Sequence, residues 1–214
     1  MSTNPAIRIK NRWFKAGAGH SAQEQASAMG FIVWRVAQNM LKRMRGAQFD
    51  IDAGGAYFDF MREVLVFLIA LTDRIAHARL DPAQRAEFTV ALVRHVAGTL
   101  QDNEHDLLGA KAAGAPSYAD TFIDLSNEVG PHYAEFGADP TAAAAANSFE
   151  PDFAFVRYLG VRLEPTLPDK DRRWVLDQVM AIEAPEAIAM VQRSMLELHD
   201  PAPRSARRST VSGD

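Results

Sequence analysis

One stretch of the chain restricts the possible folds more than any other. From Tyr57 to Leu80 the residues are apolar nearly all the way round a helix, and the run from Val64 to Leu71 contains no polar residue. Such a helix has no face to offer water, so other helices must surround it. The sequence therefore predicts a central, buried helix. The apolar run is far shorter than the roughly 20 residues needed to span a bilayer, so no membrane span is predicted.

A first helix before this stretch has a clear start. Ser21 and Glu24 have the spacing of a capping box, in which each side chain bonds the other residue's free backbone N–H. A helix is therefore predicted from about residue 22 to 45, with apolar residues recurring every three or four positions. Four of these apolar residues suit either ordinary core packing or an adaptable face for a protein partner, because thioethers repack readily. They are Met29, Trp34, Met40 and Met44.

The third helix begins directly after the central one. Asp81 and Pro82 supply an N-cap and a first-turn proline, which predicts a helix from about residue 83 to 100, or as far as 108. So short a connection makes the second and third helices an antiparallel hairpin.

The second half of the chain is divided by prolines. Ser117 and Asp120 predict the start of a fourth helix, which Gly130 and Pro131 should end or kink near residue 129, because proline lacks an N–H and clashes with the preceding turn. Further helices are predicted over about 151–163, 169–182 and 185–198, and residues 139–148 form either a short helix or a linker.

These elements predict an all-α protein. The fold class is a single-domain bundle of about six to eight helices around the buried central helix. Residues 21–200 form the bundle domain, preceded by a basic N-terminal arm at 1–20. Residues 201–214 are rich in Pro, Ser and Arg and are predicted to be a disordered basic tail.

Charge and composition narrow the classes of function. The net charge is −4, but the two ends are basic, which leaves −10 on residues 21–200. An acidic body argues against a dedicated nucleic-acid surface, since phosphate binding needs clustered Lys and Arg. The chain has no cysteine, which excludes thiolate chemistry and predicts a cytoplasmic protein. The phosphate-loop, nucleophile-elbow, zinc-protease and dinucleotide motifs are missing, so no cofactor is predicted.

Three residues are weak catalytic candidates. Asp73 and His77 lie four apart on the central helix and share a face, so they suit an acid/base or metal-binding pair. The plainer interpretation is that Asp73 bonds His77, Arg74 or Arg62 to satisfy a buried carboxylate. His95 falls on the apolar stripe of the third helix, its predicted core face, and is predicted to be a core histidine with one hydrogen bond.

Acidic groups suggest two weak cation sites further along the chain. The segment 102–106 is dense in ligand-type side chains, although a solvated helix end explains it better. A second set is spaced by four and forms either a metal-binding stripe or a solvent-facing acidic face; it comprises Asp120, Asp124, Glu128 and His132.

Two classes of function stay open. The preferred interpretation is a cytoplasmic helical interaction or accessory protein, such as an assembly or regulatory factor, with a protein partner or a second copy of itself. The alternative is a small helical metal- or ligand-dependent enzyme with its site around Asp73 and His77.

An apolar-ligand site beside core residues cannot be separated from a filled core by sequence; those residues are Phe60, Val64, Phe67 and Leu71. Apolar residues between the basic ones suit docking of the arm on an acidic partner, on the acidic body or on a membrane surface; they are Ile7, Ile9, Trp13 and Phe14.

Overall fold

The computed structural model describes residues 21–136 and 149–199, and over these ranges the protein is all-α. No strand occurs in the described residues, which confirms the predicted multi-helix fold class. The predicted arm, the tail and the segment 139–148 lie outside the described residues. The helices are α1 (Ala22–Gly46), α2 (Gly55–His77), α3 (Pro82–Leu108), α4 (Tyr118–Glu135), α5 (Phe153–Leu163), α6 (Asp169–Gln178) and α7 (Ala184–His199).

The predicted helix starts are confirmed by their hydrogen bonds. The Glu24 N–H donates to the Ser21 hydroxyl at 3.2 Å, and the Ser21 N–H donates to the Glu24 carboxylate at 3.0 Å. At α3, the Asp81 carboxylate accepts from two backbone N–H groups at 2.9 Å each. Ser117 and Asp120 form the third capping box. Each cap satisfies N–H groups that the helix itself leaves free.

Helix α2 lies among five neighbours. It contacts α1, α3, α4, α5 and α7, and every residue from Val64 to Ile69 is buried. No residue from Phe60 to Ala76 is exposed. The aromatic side chains of Phe67, Tyr133 and Phe155 meet beside α2, with ring centroids 4.9 to 5.9 Å apart.

Helix α1 lies on α2 between α3 and α7. It is parallel to α3, since α1, α2 and α3 run up, down and up through short connections. It is antiparallel to α7, because Arg43 near the end of α1 pairs with Glu183, just before the start of α7. The three helices α3, α1 and α7 therefore form one layer on one side of α2.

Of the two outcomes predicted for Gly130 and Pro131, an end of α4 near residue 129 is wrong, since the helix continues through Pro131 to Glu135. Pro131 is exposed, as is Asn127, the residue whose carbonyl loses its helical partner. An exposed carbonyl can bond water, so the loss costs little there. Val129 and Tyr133 are buried on either side and hold the helix on the core.

The prediction of a break at Pro185 is also wrong. A π-helical turn, Val179–Glu183, joins α6 to α7 without interruption. The Ala184 N–H donates to the carbonyl of Val179, five residues back. Pro185 then has no N–H to donate, so the wider turn falls where the proline removes a helical hydrogen bond.

Candidate functional site

Asp73 is bound by α3, across the helical hairpin. Arg85 donates from Nε to Asp73 Oδ1 at 2.9 Å and forms an ion pair with Oδ2, while the Thr89 hydroxyl donates to Oδ1 at 2.6 Å. The hydrogen bond to Asp73 raises the pKa of the Arg85 guanidinium above its ordinary value. The sequence pointed to His77, Arg74 or Arg62 as the partner, and the structure corrects this to Arg85 and Thr89. A bidentate arginine with a hydroxyl satisfies a carboxylate well and fixes its orientation.

The histidines of the sequence prediction lie apart from each other and from the core. His77 is exposed in the last turn of α2. His95 is exposed as well, so its prediction as a core histidine is wrong. Its ring lies against Gly30 of α1, where an added Cβ would come within 2.3 Å of the His95 Cδ2. Gly30 therefore lets α1 and α3 approach closely, with the imidazole at the rim of the contact.

The acidic stripe of α4 faces solvent. Asp120, Asp124, Glu128 and His132 are all exposed, and the continuous helix keeps them on one side. Asp120 bonds Ser117 in the capping box, and the His132 ring lies 6.0 Å from that of Tyr158. These positions agree with the interpretation as a solvated acidic face.

Sequence reasoning missed two fully buried carboxylates. Glu104 pairs with Arg62, which also pairs with Asp59 at 2.6 Å. The Glu104 Oε2 has no hydrogen-bond partner in the described part of the chain. Burial raises the pKa of the Glu104 carboxyl, and the charge of Arg62 partly offsets this effect. The expected solvated helix end is therefore wrong for Glu104, although Asp102 and Asp106 on either side are exposed.

Glu183 is the second buried carboxylate, and it lies in the π-helical turn. It accepts from Arg43 Nε at 2.8 Å and from the Gln178 amide at 3.1 Å. Arg43 also reaches Glu186 at 3.0 Å, so one guanidinium of α1 holds two carboxylates that are three residues apart in the chain. Both oxygens of Glu183 are thus bonded, whereas only one oxygen of Glu104 is bonded among the described residues.

A spacing signal marks both buried carboxylates. Each occupies one position of an apolar stripe in which buried residues recur every four places, the spacing of one helix face. The stripes are Phe88, Leu92, Val96, Leu100, Glu104 and Val179, Glu183, Ala187, Val191, Met195.

Tyr133 is a further buried polar group. Its hydroxyl lies beneath the surface without a hydrogen-bond partner among the described residues. Burial, together with the charge of Glu63, raises the pKa of the Tyr133 phenol well above its ordinary value. Glu63 itself is held by Arg162 through two hydrogen bonds of 2.8 and 2.5 Å. The phenol is therefore a neutral part of the aromatic core and no proton donor at ordinary pH.

The α1–α3 groove is a concave surface lined by both apolar and polar side chains. Its volume is about 550 Å³, and it is lined by Gln23, Ser27, Ala86, Glu87, Val90, Ala91, Arg94 and His95. Phe31 follows Ser27 by one helical turn and so lies on the same face of α1. Phe31 and Val90 each expose 49% of their surface to solvent. The groove thus combines large exposed apolar groups with a polar rim.

Two other kinds of feature, a metal-binding cluster and a membrane-spanning helix, are absent from the described residues. Within residues 21–136 and 149–199, no three His, Asp or Glu side chains lie close enough to hold a metal ion. No helix in the same ranges combines the length and the apolar character needed to cross a membrane. No family model, no curated protein and no solved structure matches the chain.

Proposed function

We propose that the protein is an interaction or accessory protein that binds an amphipathic helix of another protein in the α1–α3 groove. The observation that carries the proposal is the exposure of Phe31 and Val90 beside that groove. Apolar surface rimmed by polar groups is typical of protein-binding sites. A groove between two parallel helices suits the helix-in-groove mode, in which apolar anchors spaced by three or four enter the groove.

The charges around the groove define the chemistry of the partner. Glu87 lies towards one end, and Arg94 lies two helical turns further along α3, on the same face. Arg35 continues the exposed face of α1 beyond Phe31. No ion pair among the described residues engages these three side chains. A partner helix with a basic residue over Glu87 and an acidic residue over Arg94 and Arg35 would complement them.

The cellular location belongs to this proposal, whereas an enzyme with its site around Asp73 and His77 is the alternative to it. The absence of cysteine supports a cytoplasmic location for this binding. The enzyme interpretation around Asp73 and His77 remains a prediction. Arg85 and Thr89 already satisfy Asp73, and His77 is exposed, so the groove gives the better-supported function.

A photo-cross-linking amino acid at position 31 tests the groove. It is introduced into the full chain and expressed in the organism that encodes the protein, and the adducts are identified by mass spectrometry. The matched control carries the same group at Leu107, which is exposed near the far end of α3. We expect an adduct specific to position 31 whose cross-linked segment is an amphipathic helix.

Binding is then measured with the purified partner. Phe31→Glu should weaken binding at least about tenfold, because it places a charge where an apolar anchor docks, while Leu107→Glu should leave it unchanged. Equal adducts at both positions, adducts only between copies of this chain, or no adduct would contradict the proposal.

A further inference from the structure

The outward face of α7 and the π-helical turn before it carries large apolar side chains. Ile182, Met190 and Leu196 expose 44%, 40% and 49% of their surface, although the opposite face of α7 packs against α1 and α2. The helix is therefore apolar on two faces, and among the described residues only one of them is packed against other helices, although the Gln192 amide on the outer side donates to the Phe149 carbonyl at 3.0 Å.

Five positions on this side of the helix, which do not include Met190, follow a regular spacing. Ile182, Ala189 and Leu196 are seven residues apart, and Pro185 and Gln192 fall between them, so the steps alternate between three and four. All five positions are exposed or partly exposed. An alternation of three and four is the seam spacing by which two helices pack together along their length.

The seam is symmetric about Ala189. Ile182 lies seven residues before Ala189 and Leu196 seven residues after it, so an antiparallel second copy places Ile182 opposite Leu196 of that copy. Glu186 and Arg193 flank the seam at three residues before and four after the same centre. Each Glu186 then faces Arg193 of the second copy, and the pairing occurs twice. A surface that complements itself in this way is what a two-fold dimer requires.

Both charged side chains are placed to make this pair. Glu186 keeps 54% of its side chain exposed while Arg43 holds it at 3.0 Å, so its orientation is set before association. Arg193 is exposed, and no ion pair in the described part of the chain engages it. The small side chain of Ala189 at the centre lets the two helices approach closely.

We propose that the chain forms a symmetric homodimer in which two α7 helices pack antiparallel about Ala189. The α7 seam is a different surface from the α1–α3 groove, and the dimer does not rest on the function proposed for that groove. From residue 182 to 196 the seam is about 21 Å long, so the interface is at the small end of specific interfaces, near or below about 1,200 Å². We therefore expect a reversible dimer with a dissociation constant in the micromolar range.

Sedimentation velocity on the full chain, from about 1 to 300 µM, measures this equilibrium. The parent should pass from monomer to dimer across that range. Arg193→Glu and Glu186→Arg should each raise the dissociation constant at least about tenfold, because like charges then face each other. An equimolar mixture of the two variants should recover the dimer, since each copy supplies the charge that the other needs.

Three results would overturn the proposal: a parent that stays monomeric throughout, single variants that dimerise like the parent, or a mixture of variants that does not associate. Leu107→Glu is the matched control for a new surface charge and should dimerise like the parent. Phe31→Glu should also keep the parental dimer, which separates this surface from the groove.

Thermal melting followed by circular dichroism checks the fold of each variant, because Glu186→Arg also removes a partner of Arg43. If that variant does not fold, Ala189→Glu takes its place and puts two carboxylates at the symmetry centre. Dimerisation of Ala189→Glu with the parental dissociation constant would likewise overturn the proposal.

Discussion

Helices α2 and α7 are both apolar on more than one face, but their surroundings differ. Helix α2 has five neighbours, and nothing from Phe60 to Ala76 is exposed. Helix α7 packs against α1 and α2 with one face and leaves Met190 and Leu196 exposed on another. Apolar content therefore does not tell whether a helix builds the core or an interface. The helices packed around it decide which of the two it builds. The four predictions that follow test this difference between the buried and the exposed positions of α2 and α7.

Phe67→Ala in α2 should have the largest effect on stability. The side chain is fully buried, so its loss removes transfer energy and leaves a cavity, for an expected cost of about 3–5 kcal/mol. Leu196→Ala in α7 should change the free energy of unfolding by no more than about 0.5 kcal/mol, as for other surface positions. Urea denaturation at low protein concentration, where the monomer dominates, measures both. Equal losses at the two sites would mean that the outer face of α7 belongs to the core.

Glu183→Gln should have the next largest effect, because it acts on the buried side of α7. The substitution keeps the shape but removes the charge that Arg43 and Gln178 bond. We expect a loss of about 2–4 kcal/mol, less than for a fully buried pair because Arg43 is partly exposed. Glu104→Gln is the matched comparison. It should cost less, since one oxygen of Glu104 already lacks a partner. The reverse order, again by urea denaturation, would contradict this account of the two carboxylates.

Asp73→Asn, near the end of α2, should lower stability by about 1–3 kcal/mol. The variant loses the charge-assisted bonds from Arg85 and Thr89, which join α2 to α3. His77→Gln, one turn further and exposed, should be tolerated. Thermal denaturation combined with metal analysis checks both variants. If both melt like the parent and a bound metal or ligand is lost, the pair is functional and the enzyme interpretation gains support.

His199 at the end of α7 should give the smallest effect, visible only as a pH dependence. Burial and the nearby Arg79 lower the pKa of His199 below its ordinary value of 6.5. The unfolded chain therefore takes up a proton at a higher pH than the folded one, so stability is lost as the pH falls from about 6.5. The free energy of unfolding should fall more steeply towards pH 5 in the parent than in His199→Gln, by less than about 1 kcal/mol. Equal slopes in the parent and in His199→Gln would contradict this account.

The sequence predicted the helices well wherever the signal was local. Ser21 with Glu24, Asp81 with Pro82, and Ser117 with Asp120 each act within one helical turn, so their caps are visible in the chain itself. Pro131 and Pro185 were misjudged for the converse reason. Whether a proline ends a helix depends on solvent at the freed carbonyl and on the width of the turn, and both are set by tertiary packing.

The candidate sites were predicted less well, because their partners are distant in sequence. Asp73 meets Arg85 through the register of a hairpin, which the residues around Asp73 do not encode. His95 lies at the edge of its apolar stripe, and only its contact with Gly30 of α1 shows which way that edge faces. The burial of Glu104 and Glu183 could have been predicted from the sequence, since each occupies one position of an apolar stripe that recurs every four residues.

The π-helical turn between α6 and α7 has a consequence for how this chain tolerates insertions and deletions. In a loop, the neighbouring residues can change conformation to accommodate one residue more or less. A π-helical turn instead holds an extra residue inside a continuous helix. Deleting one residue from Val179–Glu183 would restore the ordinary helical ladder, and because a π-helical turn closes over five residues where an α-helical turn closes over four, the residues after it would keep their faces. Met195 would stay in the core, and Glu186 and Arg193 would stay on the outer face. This turn is therefore the one place between α6 and α7 where the chain can lose a residue without changing which face of α7 the protein presents.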